Sequence, residues 1–293
     1  MKTRVISASS YSNTAPLIWS FLYGANRGKH EIILDTAPAR SAELLATDQV
    51  DAALVPVIAY QLIDGAKLIP DVCVGAKERV ESVCLVTKGK DLRDVRSVSL
   101  DISSKTSVAL TKIIFREFLG FEPAWKPARP DLDEMLDESD CALLIGDPAL
   151  GIKSESTFDR SGSAARKRGA EIQDLNEIDH GRIGRCEFRK FDLVELWREF
   201  TGFGFVFAMW MTVRETCDID FAAARDEGVS HIEDIITNYE NDISLSHRDF
   251  KKYLTENISY SISESMQHGM DLYFELAAKN GLINRNRPLT YLT

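Results

Sequence analysis

Two motifs far apart in the chain hold residues suited to capturing a small polar ligand. They are Tyr11-Ser-Asn-Thr-Ala-Pro-Leu17 and Leu143-Leu-Ile-Gly-Asp-Pro-Ala-Leu150. Each joins an apolar run to polar, Gly- or Pro-containing sequence, the pattern of a buried strand delivering a loop and a helix start to a sheet edge. Asn13 can donate to a carboxylate and accept from a hydroxyl through one amide. It reads equally as an Asx turn or cap before Pro16. Asp147 reads as a helix N-cap with Pro148 at the first helical position, leaving the backbone of Gly146 and Asp147 to line a cleft. Ser103-Ser-Lys-Thr-Ser107 opens a helix whose hydroxyls and free N–H groups suit an anion. Ser103 or Ser104 alone is as well explained as an N-cap. Thr106 and Ser107 lie inside the first turn, where capping does not require both. Ser82 begins the strand Ser82 to Val86; its plainer role is a strand-end serine bonded to backbone.

Metal and disulfide chemistry find little support. The five cysteines (Cys73, Cys84, Cys141, Cys186, Cys217) are odd in number and form no C-x-x-C pair. Cys84 and Cys141 lie in apolar runs, as buried inert thiols do. The five histidines are scattered without an H-E-x-x-H, so no metal is expected. A formal net charge of -10 opposes nucleic-acid binding. It leaves room for a small anion held by local N–H groups and hydroxyls. The N-terminal residues lack the apolar core of a signal peptide, and no apolar run is long enough to span a bilayer. The expectation is a cytoplasmic protein without membrane contact.

The elements that would position these residues alternate between strand and helix. Strands are expected at Arg4 to Ala8, Glu31 to Thr36 and Asp51 to Val55. Helices are expected from Pro16 toward Tyr23 and over Ala39 to Thr47, which implies right-handed parallel crossovers. Further strands are expected at Val72 to Gly75 and Val80 to Val86. A second such unit runs through a strand Val95 to Leu100, the Ser103 helix ending at Gly120, a capping-box start at Asp131 and a strand Cys141 to Ile145. Residues 153–190 differ in texture, rich in Ser, Gly and charge, and form a long excursion. A helix from Leu193 to Phe200 and a buried strand Phe205 to Met211 follow. The rest is helical: Phe221 to Asn238, His247 to Thr255 and Ser263 to Lys279. Met266, Met270, Tyr273, Phe274 and Ala277 form a core stripe on the last. The expected architecture is α/β, two-lobed and like a type II periplasmic binding protein. Residues 1–88 plus 206–293 would form lobe 1, and residues 89–205 an inserted lobe 2. Crossings near Thr87 and Gly204 would make a hinge around an interlobe cleft. Tyr11, Phe205 and Trp210 could wall that cleft or belong to the core.

The two opening motifs do not stand alone. With Ala53-Leu-Val-Pro56, Glu81-Ser-Val-Cys-Leu85, Leu100-Asp-Ile-Ser-Ser-Lys-Thr-Ser-Val-Ala-Leu110, Thr201-Gly-Phe-Gly-Phe-Val-Phe-Ala-Met-Trp210 and Gly281-Leu-Ile283, their order and spacing resemble the chorismate dehydratase family. That family opens the futalosine route to menaquinone. The resemblance implies a binding-protein-like fold turned lyase, which dehydrates chorismate to 3-[(1-carboxyvinyl)oxy]benzoate without a cofactor. It assigns catalysis to Asn13 and Ser82, and substrate contact to Ser9, Ser12, Pro56, Ser104, Thr106, Ser107, Gly146 and Asp147. The motifs contain no strong general base. The substrate's own enolpyruvyl carboxylate is therefore the expected proton acceptor.

Two features depart from the family pattern. Ser12 stands where an apolar residue is usual, and the excursion is longer than expected. Arg166-Lys-Arg168 within it could contact the next pathway enzyme, though a surface insertion is the plainer reading. A homodimer is a further open partner. Three alternatives compete with the dehydratase. A non-catalytic binding protein for an aromatic or dicarboxylic anion fits the fold equally well. The related 1,4-dihydroxy-6-naphthoate synthase shares the architecture but matches these motifs less well. A regulator's effector domain lacks support, because no helix-turn-helix precedes the first strand.

Overall fold

A computed structural model describes residues 3–35, 38–152 and 188–293. Cys186, Arg166-Lys-Arg168 and the excursion up to residue 187 lie outside the described residues. The chain begins with β1 (Val5–Ser9), a 3-10 turn (Ser12–Thr14), α1 (Ala15–Leu22), β2 (Glu31–Asp35), α2 (Pro38–Ala46), β3 (Ala52–Pro56), α3 (Ala59–Leu62) and β4 (Lys67–Ala76). Next come β5 (Val83–Lys88), β6 (Ser97–Asp101), α4 (Lys105–Ile113), β7 (Ala124–Ala128), α5 (Leu132–Glu138), β8 (Cys141–Ile145) and α6 (Asp147–Leu150). After residue 187 come β9 (Phe188–Asp192), α7 (Leu193–Thr201), β10 (Phe205–Thr212), α8 (Phe221–Ser230), α9 (Ile232–Tyr239), α10 (His247–Lys252) and α11 (Glu264–Lys279).

Among the described residues the strands form two sheets, ordered β2-β1-β3-β10-β4 and β7-β6-β8-β5-β9. Within the first, β1 runs parallel to β2 and β3, while β10 is antiparallel to β3 and β4. In the second, β6 runs parallel to β7 and β8, and β5 is antiparallel to β8 and β9. The parallel strands of each sheet thus end at one edge, which is where a doubly wound sheet presents its loops to ligand.

The sheet topology moves the lobe boundary. β5 belongs to the second sheet, so the outward crossing lies between Ala76 and Val83 and not near Thr87. An apolar run such as Val83 to Val86 carries no mark of which sheet it joins; its antiparallel partners β8 and β9 decide that. Between β9 of the second sheet and β10 of the first, the chain runs back through α7 and Gly202 to Gly204. A Cβ on Gly204 would stand 2.9 Å from the Ala76 carbonyl oxygen, so only glycine lets the two crossings touch. Asp192 locks them. Its carboxylate caps α7 through the N–H groups of Val194 (2.8 Å) and Glu195 (3.2 Å). It also accepts from Val80 (3.0 Å) and Glu81 (2.6 Å) on the outward crossing. Burial pushes this carboxyl up to about 6 against the pull of those N–H groups. Glu81 is held at φ +63°, a left-handed conformation that costs a non-glycine residue about 1 kcal/mol or more. That bend aims the next residue, Ser82.

Two helices are shorter than their periodicity predicts. Phe221 to Asn238 breaks at His231, whose ring stacks on Trp19 at 3.8 Å and whose Nδ1 lies 2.8 Å from the Glu227 carbonyl. Just before the break, α8 packs on α1 so closely that a Cβ on Gly228 would meet the Pro16 oxygen at 1.9 Å. The helix expected over His247 to Thr255 becomes α10 followed by a π turn at Tyr253–Asn257. Trp210 and Phe205 are core, not cleft wall. Trp210 packs on Phe221 (centroids 4.6 Å) and Phe205 on Tyr273 (5.1 Å). Cys73, Cys84 and Cys141 are buried thiols, and burial pushes that of Cys84 up to about 12. Among the described residues no helix is long and apolar enough to cross a membrane.

Candidate active site

The loop after β1 reaches across to the second lobe. Thr14 Oγ1 donates to the carbonyls of Ser9 (2.7 Å) and Tyr11 (2.8 Å), which fixes the 3-10 turn. The turn then presents Ser12 to Asp147, its hydroxyl donating at 2.5 Å and its N–H at 3.2 Å. The N-cap role expected for Asp147 is not observed. Gly146 is the cap residue of α6, Asp147 is its first helical residue, and the carboxylate serves as an interlobe latch. Burial raises the Asp147 carboxyl above the usual range, with the Ser12 hydroxyl and N–H opposing. The Ser12 departure thus has a physical role, since an apolar side chain would leave that carboxylate with fewer donors. Gly146 has φ +75°, and the Tyr11 ring lies 3.1 Å from where a Cβ would stand. Both the conformation and the space require glycine.

Ser82 and Asn13 converge on a residue that nothing in its local sequence singles out. The Gly146 N–H donates to the Ser82 carbonyl at 2.7 Å, tying the end of β8 to the start of β5. The Ser82 hydroxyl accepts from the Tyr253 phenol at 2.8 Å in a fully buried contact. Burial drives the Tyr253 phenol well above its ordinary value, while Ser82 and then Asn13 pull it down by hydrogen bonding. The phenol is therefore neutral and a donor. Ser82 is left with its own O–H to donate elsewhere. The Asn13 side chain faces this phenol and makes neither the Asx turn nor the cap that its position allowed. Tyr253 opens the π turn after α10, and π turns recur at functional sites. In sequence it is only another apolar position after Phe250.

The start of α4 meets the first lobe beside these residues. Ser104 is the N-cap, accepting from the Ser107 N–H (3.5 Å) and hydroxyl (3.3 Å), so these two expected contact residues bond to each other. Thr106 Oγ1 accepts from the Ile58 N–H of the first lobe at 3.2 Å. Pro56 ends β3 and sets that approach, while Ser9 is buried at the end of β1. Just before this helix, Asp101 Oδ1 accepts from the Ser103 N–H at 2.9 Å. Asp101 Oδ2 and Ser103 Oγ are buried without a hydrogen-bond partner. An orphan of this kind costs about 1–3 kcal/mol.

Two α/β lobes joined by paired crossings, with hydroxyl, amide and carboxyl groups at facing strand ends, define a periplasmic-binding-protein-like fold. Solved structures agree on the fold. A protein from Archaeoglobus fulgidus superimposes with a TM-score of 0.67 at 14% identity, covering 96% of this chain and 98% of that one. The periplasmic aliphatic sulphonate binding protein SsuA from Escherichia coli gives 0.59 at 14% identity, covering 100% and 94%. The sequence narrows the class: the menaquinone biosynthesis family matches residues 5–279, and the chain belongs to that family. It is also 28% identical over 284 residues to the chorismate dehydratase of Thermus thermophilus, covering 94% of this chain and 95% of the relative.

Proposed function

We propose that the protein dehydrates chorismate to 3-[(1-carboxyvinyl)oxy]benzoate, the first step of futalosine-dependent menaquinone synthesis. The observation that carries this reading is the meeting of Ser82 and Asn13 on one neutral, buried phenol in a chain of the menaquinone family. The reaction removes a ring hydroxyl and the ring proton beside the enol ether. The ring becomes aromatic, so the step is downhill, and the protein must mainly hold a reactive conformer and stabilise charge. Tyr253 donates to Ser82, and the Ser82 hydroxyl donates in turn to the enolpyruvyl carboxylate. The Asn13 amide holds the same carboxylate, which takes the ring proton. Ser12 and Asp147 latch the lobes and exclude water from the site.

Incubation of the purified protein with chorismate, followed by mass-resolved chromatography, tests the reading. Loss of one water and appearance of the enol-ether benzoate is the expected result. Unchanged chorismate with ligand-dependent thermal stabilisation would make the protein a binding protein instead. Near-wild-type turnover by both Asn13→Ala and Ser82→Ala would overturn the residue assignment.

A further inference from the structure

We propose that Asp101 is the general acid that protonates the departing ring hydroxyl, an inference that rests on the dehydration reading. Two buried polar side-chain atoms without partners, Asp101 Oδ2 and Ser103 Oγ, stand two residues apart at the cleft end of β6. The segment is not loosely packed. Asp101 is fully buried, its Oδ1 is fixed by the Ser103 N–H at 2.9 Å, and only the second oxygen is left over. A structural Asx turn needs one carboxyl oxygen, so the turn leaves the other unexplained.

The place of this oxygen connects it to the rest of the site. Asp101 lies beside Ile145 at the end of β8, and Ile145 pairs with Val83, the residue after Ser82. Tyr11, whose ring covers Gly146, borders both Asp101 and Ser103 from the first lobe. The groups acting on Asp101 are therefore Ser103 on its own loop, the Ile145 backbone on β8 and the Tyr11 phenol. Asp147 is a second acid facing Tyr11. Burial raises the Asp101 carboxyl above the ordinary carboxylate range, opposed by the Ser103 N–H on Oδ1 and, more weakly, by the nearby Ser103 hydroxyl and Ile145 N–H, neither of which reaches hydrogen-bonding geometry with Oδ2. A bound dianionic substrate raises it further, because a like charge disfavours ionisation.

The chemistry calls for such a group. Hydroxide leaves poorly, and Ser82 and Asn13, which hold the enolpyruvyl carboxylate and can assist the leaving hydroxyl by hydrogen bonding, carry no acidic proton to give it. In the proposed step the ring C–OH bond breaks, the oxygen takes the Asp101 proton and water departs. The adjacent C–H bond breaks, its proton goes to the enolpyruvyl carboxylate, and its electron pair forms the new ring double bond. Asp101 regains its proton from solvent when the lobes part.

Asp101→Asn tests this role. The amide oxygen still accepts from the Ser103 N–H, but the amide has no proton to transfer. With chorismate, kcat is expected to fall about 100-fold or more at nearly unchanged KM. The wild-type decline of kcat with rising pH should disappear in the variant. Wild-type kcat in Asp101→Asn, or a raised KM at unchanged kcat, would overturn the role. Should the variant fail to fold, the wild-type profile decides: a one-proton alkaline limb in kcat supports the acid, and a flat profile overturns it. Absence of product from wild-type protein would remove the dehydratase reading and this role together. Full product from both proteins would remove only this role.

Discussion

The two ends of the parallel strands use aspartate in opposite ways. At the starting edge of the first sheet, Asp51 accepts from the Val5 N–H (2.9 Å), Arg214 Nε (3.0 Å) and Arg4 Nη1 (3.5 Å). Burial alone would raise this carboxyl. The Val5 N–H and the two arginines outweigh it and hold the group below the usual range. At the finishing edges, Asp101 keeps one oxygen without a partner, and Asp147 relies on Ser12 from the other lobe. Burial holds both of these carboxyls above the usual range. One edge is fully paired and holds strands together. The other keeps polar capacity in reserve, as a site that must recognise a ligand and close over it does.

The sharpest way to break this contrast is at the cleft. Ser82→Ala removes a positioned donor and should lower kcat on the order of 10²–10³-fold, with Asn13→Ala close behind, measured per folded molecule. Replacing Asp147 with Ala removes the latch and should raise KM about tenfold, with a smaller loss in kcat. At the paired edge the outcome should invert. Asp51→Ala should cost about 2 kcal/mol in urea unfolding and leave turnover of the folded fraction unchanged. The smallest effect is in pH. The folded pKa of Asp51 lies below its unfolded value, so its stabilisation is present above about pH 4 and is lost as pH falls. Asp101 and Asp147 have the opposite sign, contributing at low pH and losing that contribution as pH rises through their raised values. Unfolding of wild type and Asp51→Asn between pH 3 and 7 should therefore show less acid loss in the variant.

What the sequence made legible follows from local physics. α1, α4, α5 and α11 announce themselves through Pro16, the Ser104 cap, the Asp131 cap and the Met266 to Ala277 stripe. The sheet that β5 joins is a long-range pairing and leaves no trace in Val83 to Val86. The break at His231 depends on Trp19, more than two hundred residues away in the chain. Asn13 and Ser82 stand out only by resemblance, because each alone suits a turn or a strand end. Tyr253 was hidden since its role lies in a hydrogen bond to a residue 171 positions earlier. In its local sequence Asp147 reads as a cap, whereas its carboxylate accepts from Ser12 of the other lobe.

Chemistry belongs to the finishing edge and stability to the starting edge. The direct measurement is kcat on chorismate for Ser82→Ala and Asp51→Ala, each normalised to folded protein. Ser82→Ala should lose turnover by at least about 100-fold while Asp51→Ala keeps it. Equal turnover in the two variants would contradict this division.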